Sequence, residues 1–161
     1  MLHADQTTIA RSAKALVLSL VISVLGAAQS FAQDATEEIS ALLRRWAATY
    51  GSAQSPDEML GLYAPDAVFF GTGGKTPFLG AQEIGPYFGR QFSNFSERKV
   101  NFIDPAIRIY DSTATATGLY HFEVTNKAGN PLDATMRFSF ALHRGGDGWI
   151  IIQHHSSLIP E

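Results

Sequence analysis

Two histidines, His154 and His155, stand where the apolar run Trp149–Ile152 changes into Gln153-His154-His155-Ser156-Ser157 while keeping strand character. Histidine is the side chain best suited to general-base or proton-shuttle work near neutral pH. Neighbours on a strand point to opposite faces, so one of the pair can face a pocket and the other the outside or a subunit contact. Ile150, Ile151 and Ile152 are apolar on both faces, so parity alone does not decide which; the line Ile151–Gln153–His155 selects His155. Either histidine can instead be a hydrogen-bonded structural group. Two adjacent strand histidines chelate poorly, and no H-x-H or H-E-x-x-H spacing supports a metal. The chain has no cysteine, hence no thiolate nucleophile and no cysteine-held metal, and no motif asks for a cofactor.

Arg137 lies in an apolar strand between Met136 and Phe138. A guanidinium there needs a carboxylate or an anionic ligand, because an unpaired buried charge is costly. It would serve as a pocket cation for a carboxylate-bearing ligand, or as half of an ion pair with Glu123 or Asp133. Asp66, directly after Pro65, is a candidate general base and equally a turn former. Trp46, Tyr63, Phe69, Tyr87 and Tyr120 are the aromatic residues expected to line a pocket, with Arg137, His154 and His155 as its polar groups. The catalytic role stays open between His155 and Asp66.

These residues need elements to hold them. Ile39, Leu42, Leu43, Trp46 and Tyr50 fall on one helical stripe behind the acidic start Asp34–Glu37, and Gly51 stops it. Ser55-Pro56-Asp57-Glu58 opens a short second helix with a capping box and a first-turn proline, bringing Met59, Leu62 and Tyr63 inward before Pro65. Ala67–Phe70 reads as a strand. The following Gly71-Thr72-Gly73-Gly74 lacks the continuation of a phosphate cradle, since Gly74-Lys75-Thr76 runs into Pro77, and reads as a turn over the mouth of the domain. A third helix starts at Gly80 and runs to about Phe92, with Pro86 in its first turns or at a kink. The period then changes to two. Val100–Ile103, Ala106–Tyr110, Thr113–Thr125, Leu132–Arg144 and Trp149–Leu158 read as strands joined by turn residues, with Pro105 marking an edge or a bend. Helices followed by a long antiparallel meander make an α+β order, with the helices on one face of a curved sheet.

Composition bounds the rest. At 161 residues, with 45% hydrophobic and 17% charged side chains, the chain has room for one globular domain. A net charge of −3 lacks the basic footprint of a nucleic-acid binder. Arg11 and Lys14 precede the apolar run Ala15–Ala28 and the small-x-small site Ser30-Phe31-Ala32, the pattern of a cleaved secretory signal over residues 1–32. Fourteen helical residues reach only about 21 Å, short of a hydrocarbon core of about 30 Å. The expected mature domain, 33–161, is secreted or periplasmic and has no membrane attachment after signal cleavage.

Several segments together resemble a known superfamily. They are Leu62-Tyr63-Ala64-Pro65-Asp66-Ala67-Val68, Gly80-Ala81-Gln82-Glu83-Ile84, Arg137-Phe138-Ser139-Phe140, and Asp147-Gly148-Trp149 leading to His154-His155-Ser156-Ser157 and Pro160. Over Thr36–Glu161 the chain resembles the nuclear transport factor 2-like, or SnoaL-like, superfamily. Within it, the chain is most similar to bacterial relatives of the calcium/calmodulin-dependent protein kinase II association domain. The resemblance implies a cone-shaped curved sheet wrapped by helices, an internal pocket, and self-assembly as a homodimer or larger ring. It implies no single reaction, because the superfamily hosts isomerases, cyclases, dehydratases and pure assembly modules. There is no ATP loop, HRD or DFG motif, so no kinase activity. The expectation is a self-associating domain around a pocket for a small anionic or aromatic ligand; the alternative is a small-molecule enzyme with a pocket His or Asp as base.

Overall fold

The structure is a computed structural model that describes residues 33–161; the expected signal peptide, residues 1–32, lies outside the described residues. Helix α1 runs over 33–52, and its stripe is the reason it packs. Ile39, Leu42, Leu43, Trp46 and Tyr50 are all buried, each at most 3% exposed. Glu38, off that stripe, accepts from Trp149 Nε1 (3.0 Å) and from Arg144 (2.8 Å), tying α1 to the sheet. Helix α2, Pro56–Leu60, has Ser55 as N-cap with the capping box to Glu58, and Met59 fully buried. Helix α3, Gly80–Asn94, carries Pro86 inside it and buries Ile84 and Phe88. Its first turn is closed by Glu83, which accepts from the Leu79 N–H at 2.8 Å.

Six strands follow, β1 (Tyr63–Phe70), β2 (Phe78–Leu79), β3 (Phe95–Tyr110), β4 (Thr113–Asn126), β5 (Pro131–Gly145) and β6 (Gly148–Leu158). They form one sheet in the order β2-β1-β6-β5-β4-β3. β3 to β6 are the antiparallel meander expected from the period of two. β3 is continuous and lies at the sheet edge. Its register shifts between Ile103 and Ala106, where Asp104 has φ 39°, so Pro105 marks both an edge and a bulge.

Two features depart from the sequence reading. β1 begins at Tyr63, four residues before the expected strand start, so Tyr63 and Pro65 belong to strand and not to the end of α2. β1 also pairs with β6 in parallel, placing β6 in the interior of the sheet between β1 and β5. Residues Thr36–Glu161 make one compact unit. No helix among the described residues is long and apolar enough to cross a membrane.

Candidate functional site

Helices α1 and α3 and the inner face of the sheet enclose a cavity of about 370 Å³. α1 contributes Trp46 and Tyr50, one turn apart and stacked at 5.5 Å between ring centroids. α3 contributes Tyr87 and Phe88, and β1 contributes Phe69, whose ring stacks on Phe88 at 5.7 Å. From β4 come Tyr120, Phe122 and Val124; from β5, Leu132, Ala134 and Met136; from β6, His154, Ser156 and Leu158. Each strand supplies alternate residues, as a pleated wall must. Among the described residues, no aspartate, glutamate, lysine or arginine lines this cavity.

Two hydrogen-bonded chains run along its wall, and Gln91 and the phenols Tyr50 and Tyr87 add further polar groups to the lining. Trp46 Nε1 donates to Tyr63 Oη at 2.8 Å, and Tyr63 Oη lies 2.8 Å from His154 Nδ1. Indole can only donate, so the Tyr63 hydroxyl proton goes to Nδ1. The neutral imidazole then carries its proton on Nε2, an assignment that follows from this donor–acceptor accounting. No protein group bonds to Nε2. His154 is 1% exposed. Burial, and secondarily the neighbouring His155, holds its pKa well below the usual histidine value, so the ring is uncharged at neutral pH. Burial pushes the Tyr63 phenol well above its ordinary value, with the Trp46 hydrogen bond a smaller opposing effect, so it stays a donor. In the second chain, Tyr120 donates to Ser156 Oγ, Ser156 meets Thr72 Oγ1, and Thr72 rests on Met136 Sδ at 3.6 Å. Desolvation raises the Tyr120 phenol as well, keeping it protonated.

Of the eight expected pocket residues, Trp46, Phe69, Tyr87, Tyr120 and His154 line the cavity, while Tyr63, Arg137 and His155 do not. Tyr63 sits behind His154 and orients it. His155, expected in the pocket from its line with Ile151 and Gln153, points to the outer face, where its ring lies 5.8 Å from Phe70. The reason is a β-bulge: Leu142 pairs with Ile151 but Ala141 with Gln153, so Ile152 is an extra residue that shifts the alternation. Ile151 and His154 therefore share the interior face.

Arg137 is exposed and donates to Ser157 Oγ at 3.1 Å. Met136, Phe138, Phe140 and Leu142 take the inner face of β5, which turns the residue between Met136 and Phe138 outward. Its expected ion-pair partners are engaged elsewhere, Glu123 with Lys99 at 2.7 Å and Asp133 with His121 at 3.2 Å. Asp66 is exposed in the irregular part of β1 and does not line the cavity. Among the described residues, no group of histidine and carboxylate side chains is arranged to hold a metal ion.

Thr72, Phe88, Met136 and Ser156 also line the cavity, and no single motif marks them. The alternation of Met136 with Phe138 and of Ser156 with His154 does point there once the bulge is known.

A family model described as a SnoaL-like domain matches residues 39–161. No protein among the curated sequences matches the chain. Among solved structures, a Xanthomonas campestris protein provisionally named a calcium/calmodulin dependent protein kinase II association domain is 30% identical, with a TM-score of 0.71, over 77% of this chain and 87% of that one. A nuclear transport factor 2-like superfamily protein from Salmonella enterica is 23% identical, with a TM-score of 0.73, over 81% and 94%. A Novosphingobium aromaticivorans protein provisionally named an aromatic ring hydroxylase is 23% identical, with a TM-score of 0.70, over 76% and 87%. At that lower identity the last two share the fold alone.

Proposed function

The chain belongs to the SnoaL-like domain family of the nuclear transport factor 2-like fold, and from that premise we propose that it is a secreted, self-associating domain whose internal cavity binds a small, uncharged aromatic molecule. The observation that carries the reading is the cavity itself. Its volume of about 370 Å³ suits a small ligand, and its walls are mostly aromatic and aliphatic, with a few neutral polar groups and no aspartate, glutamate, lysine or arginine. A carboxylate entering it would lose its hydration and meet no cation, which favours the aromatic over the anionic ligand of the two expected. Kinase activity is no part of the reading.

Self-association is supported by the outer sheet face. Thr117, Ser139, His155 and Phe70 lie side by side across β4, β5, β6 and β1, between the row Thr115–Ala141–Gln153 and the row Leu119–Arg137–Ser157, so the middle of this face is mostly uncharged, with Arg137 beside it. The resemblance to a protein named as an association domain points the same way. Secretion is supported by the charged, apolar and small-residue pattern of residues 1–32. A general-base enzyme is the less supported reading, because Asp66 and His155 lie outside the cavity and His154 Nδ1 is occupied by Tyr63.

Calorimetric titration of the mature protein with 2-methylnaphthalene and with 2-naphthoate tests the cavity. We expect the neutral compound to bind at least tenfold tighter. Tighter binding of the carboxylate would overturn the reading. Native mass spectrometry tests assembly: a dimer or ring is expected, and a monomer at micromolar concentration would refute self-association.

A further inference from the structure

The two walls of the cavity use their polar groups differently. On the sheet side, Tyr120, Ser156 and Thr72 bond to one another, and His154 is held by Tyr63 and shut in by the rings of Phe69 and Phe140, 4.5 and 4.3 Å away between centroids. On the helical side, Tyr50 of α1 and Tyr87 and Gln91 of α3 line the cavity, and their hydroxyl and carboxamide groups bond to no side chain or backbone group among the described residues. Nor are they sealed in the protein. Among the described residues the buried side-chain polar atom without a partner is His154 Nε2, so the two phenol oxygens and the Gln91 carboxamide keep open surface.

These groups lie together. Gln91 is one helical turn after Tyr87 and on the same face of α3. Burial, and after it Tyr87, pushes the Tyr50 phenol up; burial raises Tyr120 too, with Tyr87 and Tyr50 adding to it. The hydroxyls therefore gather in one part of the cavity and stay protonated at neutral pH. A phenol both donates and accepts, whereas the Gln91 carbonyl is a strong acceptor and its NH₂ a donor. A ketone or ether oxygen would use the donors and leave that carbonyl unpaired. A carboxylate would be set against it with no cation nearby. A hydroxyl group uses both kinds of partner.

Resting on the cavity reading above, we infer that Tyr50, Tyr87 and Gln91 form a polar subsite on the helical wall that selects an uncharged aromatic ligand bearing a hydroxyl group, which donates to the Gln91 carbonyl oxygen and accepts from one of the two phenols.

The test compares 2-naphthol, 2-methoxynaphthalene and 2-methylnaphthalene by calorimetry on the mature protein at pH 7, where the naphthol is uncharged. The naphthol should bind about tenfold tighter than the hydrocarbon. The methoxy compound, which keeps the oxygen without its proton, should stay well below the naphthol. In Gln91→Leu and in Tyr87→Phe the ratio of naphthol to hydrocarbon affinity should fall severalfold; neither side chain contributes a hydrogen bond to the fold, so thermal unfolding should show both variants folded. Carbon NMR of wild-type protein labelled at tyrosine Cζ needs no variant: the Tyr50 and Tyr87 resonances should move further with the naphthol than with the hydrocarbon. Equal binding of naphthol and hydrocarbon to wild type, a methoxy compound as tight as the naphthol, or a naphthol preference that survives either variant overturns the subsite while leaving the cavity reading standing. Failure of all three probes to bind removes the cavity reading and the inference with it.

Discussion

Replacing Tyr63 with Phe removes one oxygen from the interior and orphans two groups. Trp46 Nε1–H loses its acceptor and His154 Nδ1 loses its donor, each now 2.8 Å from the vacated hydroxyl position. Trp46, Tyr63 and His154 are at most 4% exposed, so bulk water does not reach the break. A buried polar group left unpaired costs about 1–3 kcal/mol, so the substitution should destabilise the fold by roughly 2–5 kcal/mol. For a domain of this size that corresponds to a fall in Tm of roughly 6–20 °C. Urea unfolding at pH 7.5 measures it, with an unchanged m-value expected if only stability is altered. Tyr120→Phe is the internal comparison. Its partner Ser156 keeps Thr72, so we expect a cost of only about 1 kcal/mol. His154→Phe in the Tyr63→Phe background removes one of the two orphans, so the pair should cost less than the sum of the singles by about 1 kcal/mol or more. A Tyr63→Phe protein within about 0.5 kcal/mol of wild type, or strict additivity of the pair, would refute the relay.

Three further outcomes follow from other parts of the fold. The folded pKa of His154 is depressed below its unfolded value of about 6.5, so its contribution is fully present above that pH and is lost as pH falls toward the folded value. Stability should drop by about 1.4 kcal/mol per pH unit below 6.5, and His154→Phe, followed by denaturant titration at several pH values, should lack that component; equal slopes would contradict it. In Gly71→Ala the new methyl would sit 2.6 Å from Tyr87 Cε2, so Tyr87 must move. We expect a loss of about 1–3 kcal/mol and weaker 2-methylnaphthalene binding, read by thermal unfolding and calorimetry. Ser55→Ala removes the N-cap of α2, where Ser55 Oγ accepts from the Asp57 N–H at 3.2 Å, and should cost about 1 kcal/mol in urea unfolding without altering binding.

What the sequence made legible was whatever depends on period and local chemistry. The stripe from Ile39 to Tyr50 and the capping box at Ser55–Glu58 each state their structure within a few residues, and both are present as read. The family pattern extends that to the whole domain, and the SnoaL-like match bears it out. Long-range pairing was not legible. Nothing near Tyr63 announces that it pairs with Ile151 in a parallel strand, and that pairing is what brings its hydroxyl to His154. The choice between His154 and His155 turned on one inserted residue, Ile152, in a run of three isoleucines where no polar side chain marks the change of face. Arg137 was misjudged for a related reason. Its flanking apolar residues Met136 and Phe138 were taken as evidence of burial, although alternation puts the residue between two inward neighbours outside.

The place of β6 in the sheet has a consequence for how the chain acquires its shape. β6 is the latest of the six strands in the chain, yet it is the only one that joins β1 to β5. Until it is made, β1 and β2 share no ladder with the β3–β5 meander, and the side of the cavity formed by His154 and Ser156 does not exist. Such non-local closure is slow relative to hairpin formation, and it leaves apolar inner faces open while it is pending. The strand that carries His154 and Ser156 is thus also the clasp of the fold. A chain stalled before Gly148 would have neither a closed sheet nor a binding site, so loss of ligand affinity and loss of folding cooperativity should set in at the same truncation point.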